Sequence, residues 1–236
     1  MNGEWWTRQL ISQITRLIHF LIIRELMRIK ICGITTIEQG MSIAQMGATD
    51  LGFICVPSSP RYLNLTQLYP LIAGLGSVAN TVGVFADFSV MTIAQVVGLT
   101  ELNTVQLHGN ESIEFCHQLR DVLPTTEIIK AWRVRDNSDL AKIAAYSEVV
   151  DGLLLDAYHP DALGGTGQTL DWEQLVAFTP PIPWLLAGGL TPDNICTALS
   201  QLHPDGIDLS SGVEVSPGNK DLALVERLFD NLGVGS

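Results

Sequence analysis

The chain has 236 residues, 47% of them hydrophobic, with 13 Lys+Arg against 25 Asp+Glu and a formal charge of −12. Length and apolar content suit a single globular domain with a large core, since α/β barrels of about 200–250 residues are routinely one domain. The acidic balance, without any basic run, speaks against nucleic acid as a partner and leaves an anionic ligand to be held by local backbone donors. Cys32, Cys55, Cys116 and Cys196 are scattered without a CxxC pair. That argues against a disulfide framework or a structural metal site and fits a reducing, cytoplasmic setting.

Residues 1–26 differ in kind from the rest. Trp6, Leu10, Ile14, Leu17 and Leu21 recur at helical spacing, with Arg8, Arg16 and Arg24 between them. The run Ile18–Ile23 is too short to span a bilayer, and no small-residue cleavage site follows it. An interfacial amphipathic helix is one reading of this extension. The abrupt start of a strand pattern at Met27 favours the other, in which translation begins there and the fold occupies 27–236.

From Met27 onward a short apolar strand, a glycine-bearing or polar turn and a helical stretch alternate. Strands are expected at Arg28–Ile34, Leu51–Val56, Thr81–Ala86, Thr104–His108, Glu127–Val134, Gly152–Asp156, Trp184–Gly188 and Gly206–Leu209. They are rich in Val, Ile and Leu, as parallel strands buried on both faces are. Helices are expected at Thr36–Met46, Val90–Leu99, Glu111–Asp121, Asp139–Ser147 and Pro192–Leu202, the third of them capped by Asn110 with Glu111 in its first turn. Eight such units leave an open doubly wound sheet or a closed barrel. The regular count, and the lack of a GxGxxG after the first strand, favour a single (β/α)8 TIM barrel with an extra N-terminal helical extension.

Barrel active sites gather at the carboxyl ends of the strands. Those ends carry Cys32, the loop Pro57–Arg61, Asp87, His108–Gly109, Arg133, Asp156, Gly188–Gly189 and Ser210–Ser211–Gly212. Strand alternation puts Lys30 and Cys32 on one face of the first strand. A lone buried cysteine is ordinarily a small hydrophobe, so the thiol alone decides nothing. The loops after strands seven and eight have the composition of a phosphate cradle, because glycine lets backbone N–H groups approach an anion. Asp156, at the end of three leucines, reads either as an acid–base group or as a cap. Gly164–Gly165–Thr166–Gly167 reads as a substrate lid or a simple turn.

KICGIT at 30–35, GFICVPSSPRY at 52–62, QLHG at 106–109, LLLDA at 153–157, GGTG at 164–167, LAGGLTPDN at 186–194 and DLSSGVE at 208–214 together resemble the phosphoribosylanthranilate isomerase family of tryptophan biosynthesis. The resemblance runs in order from Met27 to about Phe229; the N-terminal extension departs from it. It implies an Amadori rearrangement of a phosphorylated aminoaldose without a cofactor. A monomer or homodimer is expected, with a membrane partner only by way of the N-terminal extension. It further implies Cys32 as general base, Asp156 as general acid and Arg61 as the holder of a substrate carboxylate. Gly188, Gly189, Ser210, Ser211 and Gly212 would bind phosphate, and His108 would line the site. An apolar strand end is a setting that keeps a proton on an aspartate, and a thiolate base calls for nearby positive charge. Lys30 is expected to pair with Asp208 inside the barrel. Two other readings remain: a catalytically silent barrel that binds a phosphorylated metabolite, and a related barrel enzyme such as indole-glycerol-phosphate synthase, which uses a lysine at the first strand.

Overall fold

The computed structural model describes residues 27–134, 137–157 and 172–234. The extension at 1–26 and the glycine-rich segment at 164–167, with their expected roles, lie outside the described residues. In chain order the elements are β1 (Arg28–Cys32), α1 (Ile37–Gln45), β2 (Asp50–Ile54), α2 (Leu65–Leu75), β3 (Asn80–Phe85), α3 (Val90–Thr100), β4 (Thr104–Leu107), α4 (Ile113–Val122), β5 (Glu127–Val134), α5 (Asn137–Ala144), β6 (Gly152–Ala157), β7 (Trp184–Leu186), α6 (Ile195–Gln201), β8 (Gly206–Leu209), β9 (Glu214–Ser216), β10 (Asn219–Lys220) and α7 (Leu222–Leu232). β1 to β8 form a closed parallel barrel in sequence order, and β8 pairs back onto β1 with Lys30 opposite Asp208. β9 and β10 form a small antiparallel hairpin beyond β8. No helix among the described residues is long and apolar enough to cross a membrane.

All eight expected strands are present, several of them shorter than their apolar runs suggest. β1 stops at Cys32 because Gly33 takes φ +85°, and β7 stops before Gly188 and Gly189, at φ +87° and +63°. Such left-handed backbone is open to glycine at little cost and cannot continue a strand. The cap expected at Asn110 is corrected. α4 starts two residues later than expected, capped by Ser112, whose hydroxyl accepts from Phe115 N–H at 3.1 Å, with Glu114 as its first-turn acid. Asn110 N–H instead donates to Asp87, and Glu111 turns inward to a buried lysine.

Strand alternation divides the interior in two. Outward residues such as Ile29, Ile31, Leu51, Phe53, Val105 and Leu107 are almost wholly buried in the main core, in the layer that a TIM barrel packs against its outer helices. Ile129, Ala131, Leu154, Leu185 and Ala187 form a separate apolar cluster in the barrel centre. Towards the amino ends of the strands the lumen is polar. The Arg28 guanidinium donates to both Asp50 (2.6–2.9 Å) and Glu127 (2.5 and 2.8 Å), Asn80 donates to Asp50, and Thr104 donates to Glu127. Burial opposes the charge on Asp50, but Arg28 holds its carboxyl below the usual range.

Replacing Asp50 by alanine leaves Arg28 with Glu127 as its remaining carboxylate partner. It is expected to cost about 1.5–3 kcal/mol, the usual loss for a hydrogen bond between charged groups. Because the folded-state value of Asp50 is depressed, its contribution is present above the unfolded carboxylate value and fades as pH falls through the folded one. Urea unfolding of the Asp50→Ala variant should therefore show lower stability at neutral pH and a shallower decline towards acid than the parent.

Candidate active site

The carboxyl ends of the strands open into a cavity of about 480 Å³ lined by Cys32, Arg61, His108, Asp156, Gly188, Gly189, Ser210, Ser211 and Gly212. Every described residue of the expected site thus meets in one place, although the chain separates the first from the last by 180 residues. Asp87 lies apart. It lines an adjoining cavity of about 380 Å³ together with Lys130 and Glu111, while His108 and Arg133 border both.

Cys32 is the last residue of β1 and 5% exposed. Its thiol has room because β2 carries glycine beside it: a Cβ at Gly52 would lie 2.7 Å from Sγ. Burial pushes the thiol up, and the neighbouring Lys30 ammonium pulls it part of the way back. Lys30 is completely enclosed, and its Nζ donates to Asp208 Oδ1 at 2.9 Å, as expected from the sequence. Desolvation works against the Lys30 charge, but Asp208 and the thiol more than offset it, so the lysine stays protonated. Cys55 has no such neighbour, and burial alone drives it to about 12; at Cys116 burial outweighs the lowering influence of Lys130 and the thiol rises to about 11.

Across the cavity Asp156 sits at the end of β6, 8% exposed, with Oδ2 at 3.4 Å from His108 Nε2. Gln106 Nε2 lies 3.0 Å from His108 Nδ1. With the amide nitrogen donating, Nδ1 is an acceptor and the imidazole carries its proton on Nε2, towards Asp156. Gln106 Oε1 is buried without a partner among the described residues. The end of β4 is held by Lys130, which donates to the carbonyls of Leu107, Gly109 and Ala131 and to Glu111. Glu111 in turn accepts from the N–H groups of Asp87 and Gly109.

The two glycine-bearing loops pack against each other. A Cβ at Gly212 would lie 1.9 Å from Leu190 O, so only glycine permits this approach. Among the described residues the N–H groups of Gly189, Ser211 and Gly212 have no hydrogen-bond partner, as donors reserved for an anion would be. Arg61 reaches the cavity by passing over Gly33, where a Cβ would lie 2.5 Å from its Cδ. Its Nε and Nη2 donate to Glu214 at 2.5–3.1 Å. Glu214 also accepts from Lys220 Nζ at 2.7 Å, and Lys220 donates to the carbonyls of Cys32 and Ser210.

Sequence reasoning placed Glu214, Gln106 and Gly52 in motifs without giving them a role and passed over Lys220. Alternation along β4 contains the signal for Gln106, which shares a face with His108. Lys220 follows a Pro-Gly turn and reads like any surface lysine, and nothing in its surroundings announces burial.

Residues 29–231 match the family model described as N-(5′-phosphoribosyl)anthranilate isomerase. Curated relatives of that name from Nostoc punctiforme and Trichormus variabilis are 56% and 58% identical over 207 residues, covering 88% of this chain and 99% of each relative. Among solved structures, the phosphoribosyl anthranilate isomerase of Thermotoga maritima superposes with a TM-score of 0.80 at 34% identity, covering 88% of this chain and 98% of its own. A further one, in complex with reduced 1-(o-carboxyphenylamino)-1-deoxyribulose 5-phosphate, has a TM-score of 0.75 at 32% identity over the same shares. With its closed barrel, paired glycine loops and opposed thiol and carboxylate, this chain belongs to the phosphoribosylanthranilate isomerase family.

Proposed function

We propose that the chain isomerises N-(5-phosphoribosyl)anthranilate to 1-(2-carboxyphenylamino)-1-deoxyribulose 5-phosphate, an Amadori rearrangement in tryptophan biosynthesis, with Asp156 as general acid and Cys32 as general base. The observation that carries this assignment is the pairing, in one cavity, of a thiol beside a buried ammonium with a carboxyl group on the opposite wall, between phosphate-type loops and a fixed arginine. Simple binding of a phosphorylated metabolite needs neither the thiol nor the carboxyl.

Asp156 protonates the furanose ring oxygen as the C1′–O bond breaks, and the nitrogen lone pair closes the C1′ iminium. The positive nitrogen acidifies the C2′ hydrogen. The Cys32 thiolate removes that proton, and the C–H electron pair becomes the C1′–C2′ double bond of an enolamine while nitrogen recovers its pair. Loss of the enol proton and protonation at C1′ then give the C2′ ketone. The nascent iminium favours the thiolate at the moment it is needed. The backbone N–H groups of Gly189, Ser211 and Gly212 hold the phosphate, and Arg61 faces the anthranilate carboxylate, a group its planar guanidinium suits.

In this reading the enzyme works in the cytoplasm as a monomer or homodimer. The solved relatives include monomers generated from the dimeric isomerase of Thermotoga maritima. The test is direct: freshly generated phosphoribosylanthranilate loses its fluorescence on conversion, and purified chain is expected to accelerate that loss catalytically. Phosphate-ligand binding without turnover would instead identify a silent barrel.

A further inference from the structure

We propose that Glu214, braced by Lys220, is a positioning residue that fixes the guanidinium of Arg61 and thereby sets the preference for a substrate whose aromatic amine carries a carboxylate. This rests on the reading of Arg61 as the carboxylate holder and adds to it a residue outside the reacting groups.

The geometry is that of a clamp. Glu214 begins the short hairpin beyond β8, and its side chain is 3% exposed. Oε1 accepts from Arg61 Nε at 2.9 Å, from Lys220 Nζ at 2.7 Å and from Gly218 N–H at 3.1 Å, while Oε2 accepts from Arg61 Nη2 at 2.5 Å. Lys220 is wholly buried, and its remaining donors go to the carbonyls of Cys32 at 2.5 Å and Ser210 at 3.1 Å. The arginine is therefore tied, through one carboxylate and one ammonium, to the backbone at the end of the thiol strand and at the start of the phosphate loop. Three subsites are held in one frame.

Two features turn this frame towards a ligand. Glu214 occupies the Nε–Nη2 edge of Arg61, whereas Nη1 makes no hydrogen bond among the described residues, and Arg61 lines the cavity. A guanidinium has five donors in a rigid fork, so one edge can be clamped while the other still meets a carboxylate. The local charge also points that way. Arg61, Lys220 and Glu214 sum to one positive charge, which an incoming carboxylate neutralises; without Glu214 two cations would face each other. Burial opposes ionisation of Glu214, but the two cations hold its carboxyl below the usual range. Pre-fixing a long side chain also reduces the rotamer freedom lost on binding.

The experiment compares two freshly prepared substrates, the phosphoribosyl adducts of anthranilate and of aniline, with product followed by chromatography. Wild-type protein should prefer the anthranilate adduct, and Arg61→Met should collapse that preference. Glu214→Gln keeps size and polarity but removes the charge. It is expected to raise KM for the anthranilate adduct about tenfold, the scale of one charge-assisted contact, with little change in kcat and a clearly smaller rise in KM for the aniline adduct. Glu214→Asp should recover part of the preference and provides a second variant if the glutamine form folds poorly. Equal losses on both substrates, or an unchanged KM for the anthranilate adduct, would show that the clamp serves only the fold. If wild type and Arg61→Met discriminate equally, the carboxylate role of Arg61 itself falls, and the clamp's role with it. A collapsed ratio in Arg61→Met beside an unaltered one in Glu214→Gln overturns the clamp alone.

Discussion

Asp156→Asn is expected to lower kcat by about 10²–10⁴-fold, the usual share of a positioned general acid, with KM changed little. The carboxamide matches the carboxyl in size and still reaches His108, so the fold and the 3.4 Å contact across the cavity have no reason to change. What the variant lacks is a transferable proton. Ring opening then depends on solvent, and the iminium that acidifies C2′ forms slowly whatever the state of Cys32. His108 bears on the same step from the other side. With Nδ1 occupied by the Gln106 amide, its Nε2–H faces Asp156; in the proposed reaction that contact stabilises the carboxylate left by proton delivery, and His108 itself does not donate to substrate. Single-turnover fluorescence traces separate the possibilities: an intact burst in Asp156→Asn would remove this residue from the chemical step.

Much of this arrangement is legible in sequence because barrel strands are short, regular and apolar. A polar residue where the pattern stops therefore marks the ring of the site. Cys32, Asp156, Gly188 and Ser210 were found that way, and all line the cavity. The Lys30–Asp208 pair was also legible, because closing the barrel makes β8 the neighbour of β1. Contacts made by loops escape such reading. Arg61 and Glu214 are 153 residues apart and meet only because β2 and β8 end on the same rim. Glu111 shows the converse error. Local helix grammar assigned it to a first turn, but a buried Lys130 on the adjacent strand is a stronger partner than a helix dipole, and the helix begins two residues later. The room for the thiol was invisible for a simpler reason: Gly52 matters through the side chain it lacks.

That missing side chain leads to the second large effect. Cys32→Ser is expected to abolish measurable turnover, a loss of about 10³-fold or more within the range of acid–base catalysis, because a serine hydroxyl ionises far above any working pH. Gly52→Ala should approach it by geometry alone. The added methyl falls 2.7 Å from Sγ, and displacing a reacting atom by about 1 Å costs on the order of 10²-fold. The pH dependence separates a displaced thiol from a lost one. Burial raises the Cys32 thiol above its ordinary value, so the thiolate fraction is small at neutrality and grows with pH, and kcat/KM, which reports the free enzyme, should climb through the neutral range. The limb in kcat should lie at lower pH, since the substrate's iminium adds a positive charge beside the sulfur. Gly52→Ala should keep a climbing profile at a lower level, whereas Cys32→Ser should show none. Removing Lys30 and Asp208 together, as Lys30→Met with Asp208→Asn, takes away a larger lowering influence than a raising one, and the kcat/KM limb should then move to higher pH. A limb that stays in place in that double variant would mean that the titrating group is not Cys32.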